Sequence, residues 1–149
     1  MEYDKLEFET TFKNGDMIPV EYTSYGKNIS PEFRIKNLSD KAKSLVIILE
    51  DLSHPIKNFT HWIAWNIKAN SVIPENVGNM DNVMQGIAYG FHKYAGAKPP
   101  KFQKHNYKYT IYSLDNTLEL SSNIMKKKLL KAMNGHILQK GTIIGYFKR

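Results

Sequence analysis

Ser44-Leu45-Val46-Ile47-Ile48-Leu49-Glu50, with Asp51 after it, and His61-Trp62-Ile63-Ala64-Trp65-Asn66-Ile67 are the two stretches that decide the architecture. Both are apolar at successive positions. A strand with one face in water alternates apolar and polar side chains, so these two read as central strands covered on both faces. Trp62 and Trp65 are too large to be left to solvent, and only the Leu52 to Asn58 loop separates the runs. The far end of the first run delivers Asp51.

Outward from this pair, Leu6, Phe8, Thr10 and Phe12 alternate with Glu7, Glu9 and Thr11, the period of a half-buried strand. Asn14-Gly15-Asp16 is a turn signal, and Met17 to Thr23 reads as a second strand, interrupted at Pro19 and therefore at an edge. Asn28 to Pro31 and Ser39-Asp40 are turns, and Phe33 to Ile35 is a short strand between them. Residues 69–104 hold four of the nine Gly and three of the six Pro with little periodicity, which predicts a long ordered loop with short pieces of structure. His105 to Leu114 alternates again and puts His105, Tyr107, Tyr109 and Ile111 on one face. Ser121-Ser122-Asn123 offers N-caps for a helix from about Ile124 to Asn134, with Met125, Leu129, Ala132 and Met133 as core stripe and Gly135 past its end. Gly141 to Phe147 is a terminal strand. With no repeat, low-complexity tract or linker, residues 1–149 read as one domain.

The 149 residues are 42% hydrophobic and 23% charged, a folding composition. Without cysteine there is no disulfide framework, thiolate zinc site or cysteine nucleophile. Met1 to Phe12 carries Glu2, Asp4, Glu7 and Glu9 and no apolar core of a signal peptide, and no apolar run nears the roughly 18 residues a membrane helix needs. A cytoplasmic protein is expected. The net charge of +7 comes from scattered lysines. The densest group, Lys126-Lys127-Lys128 with Lys131, lies on a predicted solvated helix face, so nucleic acid is not the expected partner despite Lys101-Phe102-x-Lys104.

Asp51 and Pro55, His61-Trp62, Tyr94-x-Gly96-x-x-Pro99-Pro100 and His105-x-Tyr107 sit at the ends of strand-like runs, where a sheet can aim side chains at a ligand. An anionic group needs converging donors. His61 and His105 can supply them in charged form, Tyr107 adds a hydroxyl, and a loop at Gly96 can bring backbone N–H groups close. Asp51 fits as the carboxylate that fixes an imidazole tautomer, although an aspartate there also caps turns. Pro99-Pro100 would stiffen the wall. His54 and His92 lie in loops without metal-ligand spacing, and neither a metal site nor a cofactor is expected.

Asn28-x-Ser30-Pro31, Asp51-x-x-x-Pro55, His61-Trp62, Gln85-Gly86-x-x-Tyr89-Gly90, Tyr94-x-Gly96-x-x-Pro99-Pro100, His105-x-Tyr107 and Gly135-His136-Ile137-Leu138 resemble, in order and spacing, the phosphatidylethanolamine-binding protein family. The short bacterial and archaeal branch, related to Raf kinase inhibitor protein, is the nearer likeness. The resemblance implies a mainly β domain of Greek-key type, a sandwich of two packed sheets with a few short peripheral helices. It also implies a small anion-binding cavity at one end of the main sheet. Members are known as binders of phosphate-like head groups, and some regulate kinases or proteases.

The chain departs from the family in three places. Asp51-Leu52-Ser53-His54-Pro55 stands where Asp-Pro-Asp-Ala-Pro is usual, so only Asp51 carries over and Ser53 replaces the second acid. Lys98 precedes the double proline in place of a small residue and, turned inward, would add a cation. Ile35 stands where a tryptophan is usual. The favoured reading is a binding protein for a small phosphorylated or carboxylated ligand through Asp51, Pro55, His61, Tyr94, Gly96, Lys98, Pro99, His105 and Tyr107, with a kinase or protease as a further partner. A hydrolase using Asp51, His61 and His105 as acid and base is the alternative, and the oligomeric state is open between monomer and homodimer.

Overall fold

Strand β4, Ser44–Asp51, is buried at every position because both faces of its sheet are covered. In the computed structural model, which describes residues 3–149, odd and even positions of β4 go to different cores. Leu45, Ile47 and Leu49 join a core between two sheets, while Val46 and Ile48 pack beneath helix α1, Lys126–Met133. Met1 and Glu2, at the head of the acidic N-terminal stretch, lie outside the described residues.

The remaining strands are β1 Asp4–Lys5, β2 Phe8–Thr10, β3 Phe33–Ile35, β5 Phe59–Lys68, β6 Val72–Ile73, β7 Met84–Gln85, β8 Lys104–Leu114 and β9 Ile137–Lys148. Six form one sheet in the order β1-β9-β8-β4-β5-β7, and β2-β3-β6 form a second. Within the large sheet β4, β5 and β7 are successive antiparallel neighbours, and β8 returns beside β4, which is the Greek-key order. Phe33, Trp62 and Tyr109 fill the space between the sheets. The fold is a mainly β sandwich, with a single α-helix and two short 3-10 turns among the described residues.

Three expectations change. The strand expected over Leu6 to Phe12 shrinks to β2, Phe8–Thr10, paired with β3 of the small sheet, while Asp4–Lys5 just before it form β1 on β9 of the large one. Met17 to Thr23 is no strand. Met17 makes one bridge to Tyr146, and after Pro19 the chain turns into a 3-10 turn, Val20–Tyr22, since proline has no N–H for a ladder. The helix begins later than expected, at Lys126. Ser121 Oγ accepts the Asn123 amide N–H in a local turn instead of capping the helix, and Met125 is exposed where Ile124 is buried. Gly135, at φ +86°, ends the helix in the left-handed conformation as expected.

Candidate functional site

The end of β4 places Asp51 opposite Tyr107 of β8, and two residues away on the same face stands His105. His61 reaches them by an irregularity. Pairing between β4 and β5 passes from Leu49–Trp62 directly to Glu50–Thr60, leaving His61 as an extra, bulged residue. Strict alternation would send His61 and Trp62 to opposite faces. A bulge re-aims the side chain, and His61 turns to the face that carries Asp51 and Tyr107. No sequence signal marks this bulge.

The hydrogen bonds assign each atom. Asp51 Oδ2 accepts from His105 Nδ1 at 2.8 Å, and its Oδ1 accepts the Ser53 amide N–H at 2.8 Å. His105 Nε2 faces Gln103 Oε1 at 3.0 Å, so both of its ring nitrogens are engaged within the protein. His61 Nδ1–H donates to the carbonyls of Ala95 and Gly96 at 2.9 and 3.2 Å. Its Nε2 lies 4.0 Å from Asp51 Oδ2, beyond hydrogen-bond range. The Lys98 amide N–H donates to the Tyr107 hydroxyl at 3.2 Å, and that hydroxyl's own proton has no acceptor among the described residues.

The cluster is nearly closed, with Asp51 3%, His61 2%, His105 6% and Tyr107 0% exposed. Burial is the largest influence on His61 and lowers its pKa from 6.5, against the opposing pull of the Ala95 carbonyl, Asp51 and the Gly96 carbonyl. Burial, reinforced by the charge of Asp51, pushes the Tyr107 phenol far above 10, so it stays a protonated donor. Tyr89, in the left-handed conformation at φ +54°, lays its ring 4.6 Å from that of His61. Phe59 meets His61 edge-on at 5.6 Å and carries His54 stacked on its ring at 3.9 Å.

The loop residues take other positions from those a ligand wall suggests. The Gly96 N–H donates to Asn28 Oδ1 at 2.8 Å and its carbonyl turns to His61, so this N–H does not point at the cluster. Glycine is needed here because a Cβ would run into the Tyr22 and Thr23 backbone, 2.9 Å from Thr23 Cα. The Tyr94 hydroxyl donates to the Tyr22 carbonyl at 2.7 Å and pairs with Tyr109 at 2.6 Å, deep in the core. Pro99 is buried, and its carbonyl accepts from the Tyr25 hydroxyl. Lys98 is exposed and lines a neighbouring cavity of about 220 Å3 with Lys93, Tyr89 and Phe91. Pro55 is exposed in the β4–β5 loop. Ser53, in place of the second acid, accepts the Asn106 amide N–H and so ties that loop to β8.

Gln103 and Tyr89 were not among the residues singled out from the sequence. Tyr89 lies within the Gln85 to Gly90 motif, which is the one signal that could have found it; Gln103 carries none. Among the described residues no three His, Cys, Asp or Glu are grouped to share a metal ion, and no helix is long and apolar enough to cross a membrane.

The sequence profile of the family described as phosphatidylethanolamine-binding protein matches residues 8–148. A UPF0098 protein of Pyrococcus horikoshii is 41% identical over 97% of this chain and 77% of its own length. Another, from Archaeoglobus fulgidus, is 42% identical over 97% of this chain, which spans only 51% of that relative. Among solved structures, one described as a phosphatidylethanolamine-binding protein homologue, CT736 of Chlamydia trachomatis, superposes with a TM-score of 0.86 at 30% identity, covering 98% of this chain and 99% of that one. YbcL of E. coli, described as a member of the mammalian PEBP family, shares the fold at a TM-score of 0.86 and 20% identity, over 97% of this chain and 99% of its own.

Proposed function

The chain belongs to the phosphatidylethanolamine-binding protein family, and from that premise we propose that its Asp51–His61–His105–Tyr107 cluster binds a small phosphorylated or carboxylated ligand, taking up a proton at His61. One observation carries this reading. Of the cluster's side-chain polar groups, His61 Nε2 and the Tyr107 O–H are the ones left without a hydrogen-bond partner, and their rings lie 5.5 Å apart on the same face of the sheet. The Tyr107 hydroxyl donates to one ligand oxygen. A second oxygen near Nε2 stabilises the protonated ring, which donates in turn. Both oxygens of Asp51 accept hydrogen bonds from the protein, and the carboxylate acts by holding His105 in place. Entry runs past Tyr89, whose ring covers His61 and is itself partly exposed.

Proton uptake gives the test. Phosphate or phosphoethanolamine is expected to raise the melting temperature more at about pH 6 than at about pH 8, because protonating His61 is easier at the lower pH. Equal protection at both pH values, or none, would falsify the reading.

A contact surface for a kinase or protease is a second reading, favoured by Leu52, Ile56 and Phe102, which are 43%, 62% and 83% exposed. Leu52 directly follows Asp51, and Phe102 lies just before β8. Under this reading Phe102→Asp releases a purified partner that the native protein retains, while phosphate protection persists. The hydrolase alternative has less support from the geometry. His105 Nε2 meets Gln103 where a nucleophile would have to stand, and Ser53 Oγ accepts from a backbone amide of β8.

A further inference from the structure

A second polar cavity, of about 240 Å3, opens between the Asn28–Ser30 turn and the loop around Gly78. Lys27, Asn28, Ser30, Asn76, Asn79 and Lys93 supply its side-chain chemistry. No carboxylate lines it, and among the described residues neither Lys27 nor Lys93 is in an ion pair.

Several lining groups are already committed. The Tyr94 hydroxyl is taken up by Tyr22 and Tyr109. Gln85 accepts from Trp62 Nε1 and donates to the Gly78 carbonyl. Asn28 gives its Oδ1 to the Gly96 amide, which leaves its NH2 group uncommitted. Asn76 holds a left-handed backbone at φ 58° and its side chain makes no capping bond. Ser30 is only 1% exposed, yet its hydroxyl has no hydrogen-bond partner at all. A buried hydroxyl left unpaired is unfavourable and rare, and an acceptor arriving in this cavity would relieve it. The groups without a hydrogen-bond or ion-pair partner are thus a hydroxyl, amide NH2 groups and two ammonium ions, that of Lys93 standing 5.2 Å over the Phe91 ring, and together they favour an acceptor of negative charge.

We propose that this cavity, lined by Ser30, Asn28, Asn76, Asn79, Lys27 and Lys93, is a second anion site that takes a phosphate-class oxyanion independently of the histidine cluster. It rests on no residue of that cluster. Inorganic phosphate, a phosphate monoester and sulfate share the required chemistry. The two sites differ in their dependence on pH, since lysine ammonium groups keep their charge where histidine titrates.

Sulfate is the probe of choice because its charge is constant between about pH 6 and about pH 8. In a proton–nitrogen NMR titration of the full chain, the amides of Ser30, Asn76 and Asn79 are expected to shift and saturate with similar affinity at both pH values. The Lys27→Gln/Lys93→Gln double variant, altered only at exposed positions, is expected to bind roughly tenfold more weakly. His61→Asn should leave these shifts unchanged. Ser30→Ala separates binding from folding: its hydroxyl has no partner to lose, so the melting temperature should hold while affinity falls. Absent shifts, shifts indifferent to the lysine substitutions, or shifts abolished by His61→Asn would overturn the proposal. Titration of the same amides by glycerol as readily as by sulfate would also overturn it, by making the cavity a site for neutral polyols. Inorganic phosphate and a phosphate monoester, titrated in parallel, then separate free phosphate from an esterified ligand.

Discussion

His61 has two nitrogens with separate duties: Nδ1–H holds the Ala95–Gly96 loop, and Nε2 is left to titrate. Because burial lowers its pKa below 6.5, the folded state binds fewer protons than the unfolded chain over the interval beneath that value. Stability therefore rises with pH there, and is lost as pH falls from 6.5 toward the lowered folded value. The ligand-free melting temperature is expected to drop between about pH 7 and about pH 5.5, and His61→Asn, which keeps a donor at the Nδ1 position but cannot titrate, should flatten that drop. A thermal scan of both proteins across pH checks it; an identical slope in the two would refute the assignment. At this scale part of the site was legible. The phase of residues 105–111 gave His105 and Tyr107 a common face, and a carboxylate beside an imidazole is an ordinary pairing of chemistry. The direction of the Gly96 peptide was not legible, because it is set by Asn28 and Tyr22, far away in the chain.

Helix α1 opens with Lys126-Lys127-Lys128, three cations at the end of a helix that favours anions, and no side chain caps it. Glu50 of β4 offsets this, pairing with Lys126 Nζ at 2.6 Å and with Lys108 Nζ at 3.8 Å. Glu50→Gln leaves the partly buried Lys126 without its counter-ion, and an expected loss of about 1–2 kcal/mol is measurable by urea denaturation. Lys127→Glu should act in the opposite sense, adding about 0.3–1 kcal/mol by placing an acid in the first turn. Elements with a continuous apolar run, such as β4, were readable because only a position covered on both sides requires one. Alternation carries less information. Asp4 to Thr10 passes through two sheets in succession, and nothing local says where the chain crosses between them.

The molecule as a whole is a large sheet with a core on each face, and the two cores do not contribute alike to the site. The core between the sheets carries the cluster at its end and is centred on aromatic packing, with Phe33 5.8 Å from Phe8 and 5.7 Å from Tyr109. Phe33→Ala should cost about 3–5 kcal/mol, because three elements converge on that ring and cannot close around its absence. Denaturant unfolding followed by tryptophan emission reads the loss directly, with Trp62 as reporter in the same core. The other core, under α1, contains no residue of the cluster. Between these two masses β5 carries two residues more than its partner strand, one at each of two irregularities, and His61 is one of them. If His61 were deleted, the Leu49–Trp62 and Glu50–Thr60 pairs would become consecutive and the ladder would run regularly from Ile47–Ala64 to Asp51–Phe59. Loss of a single codon would then remove the imidazole from the site while every other strand pair keeps its partner, so this scaffold and its site can be inherited separately.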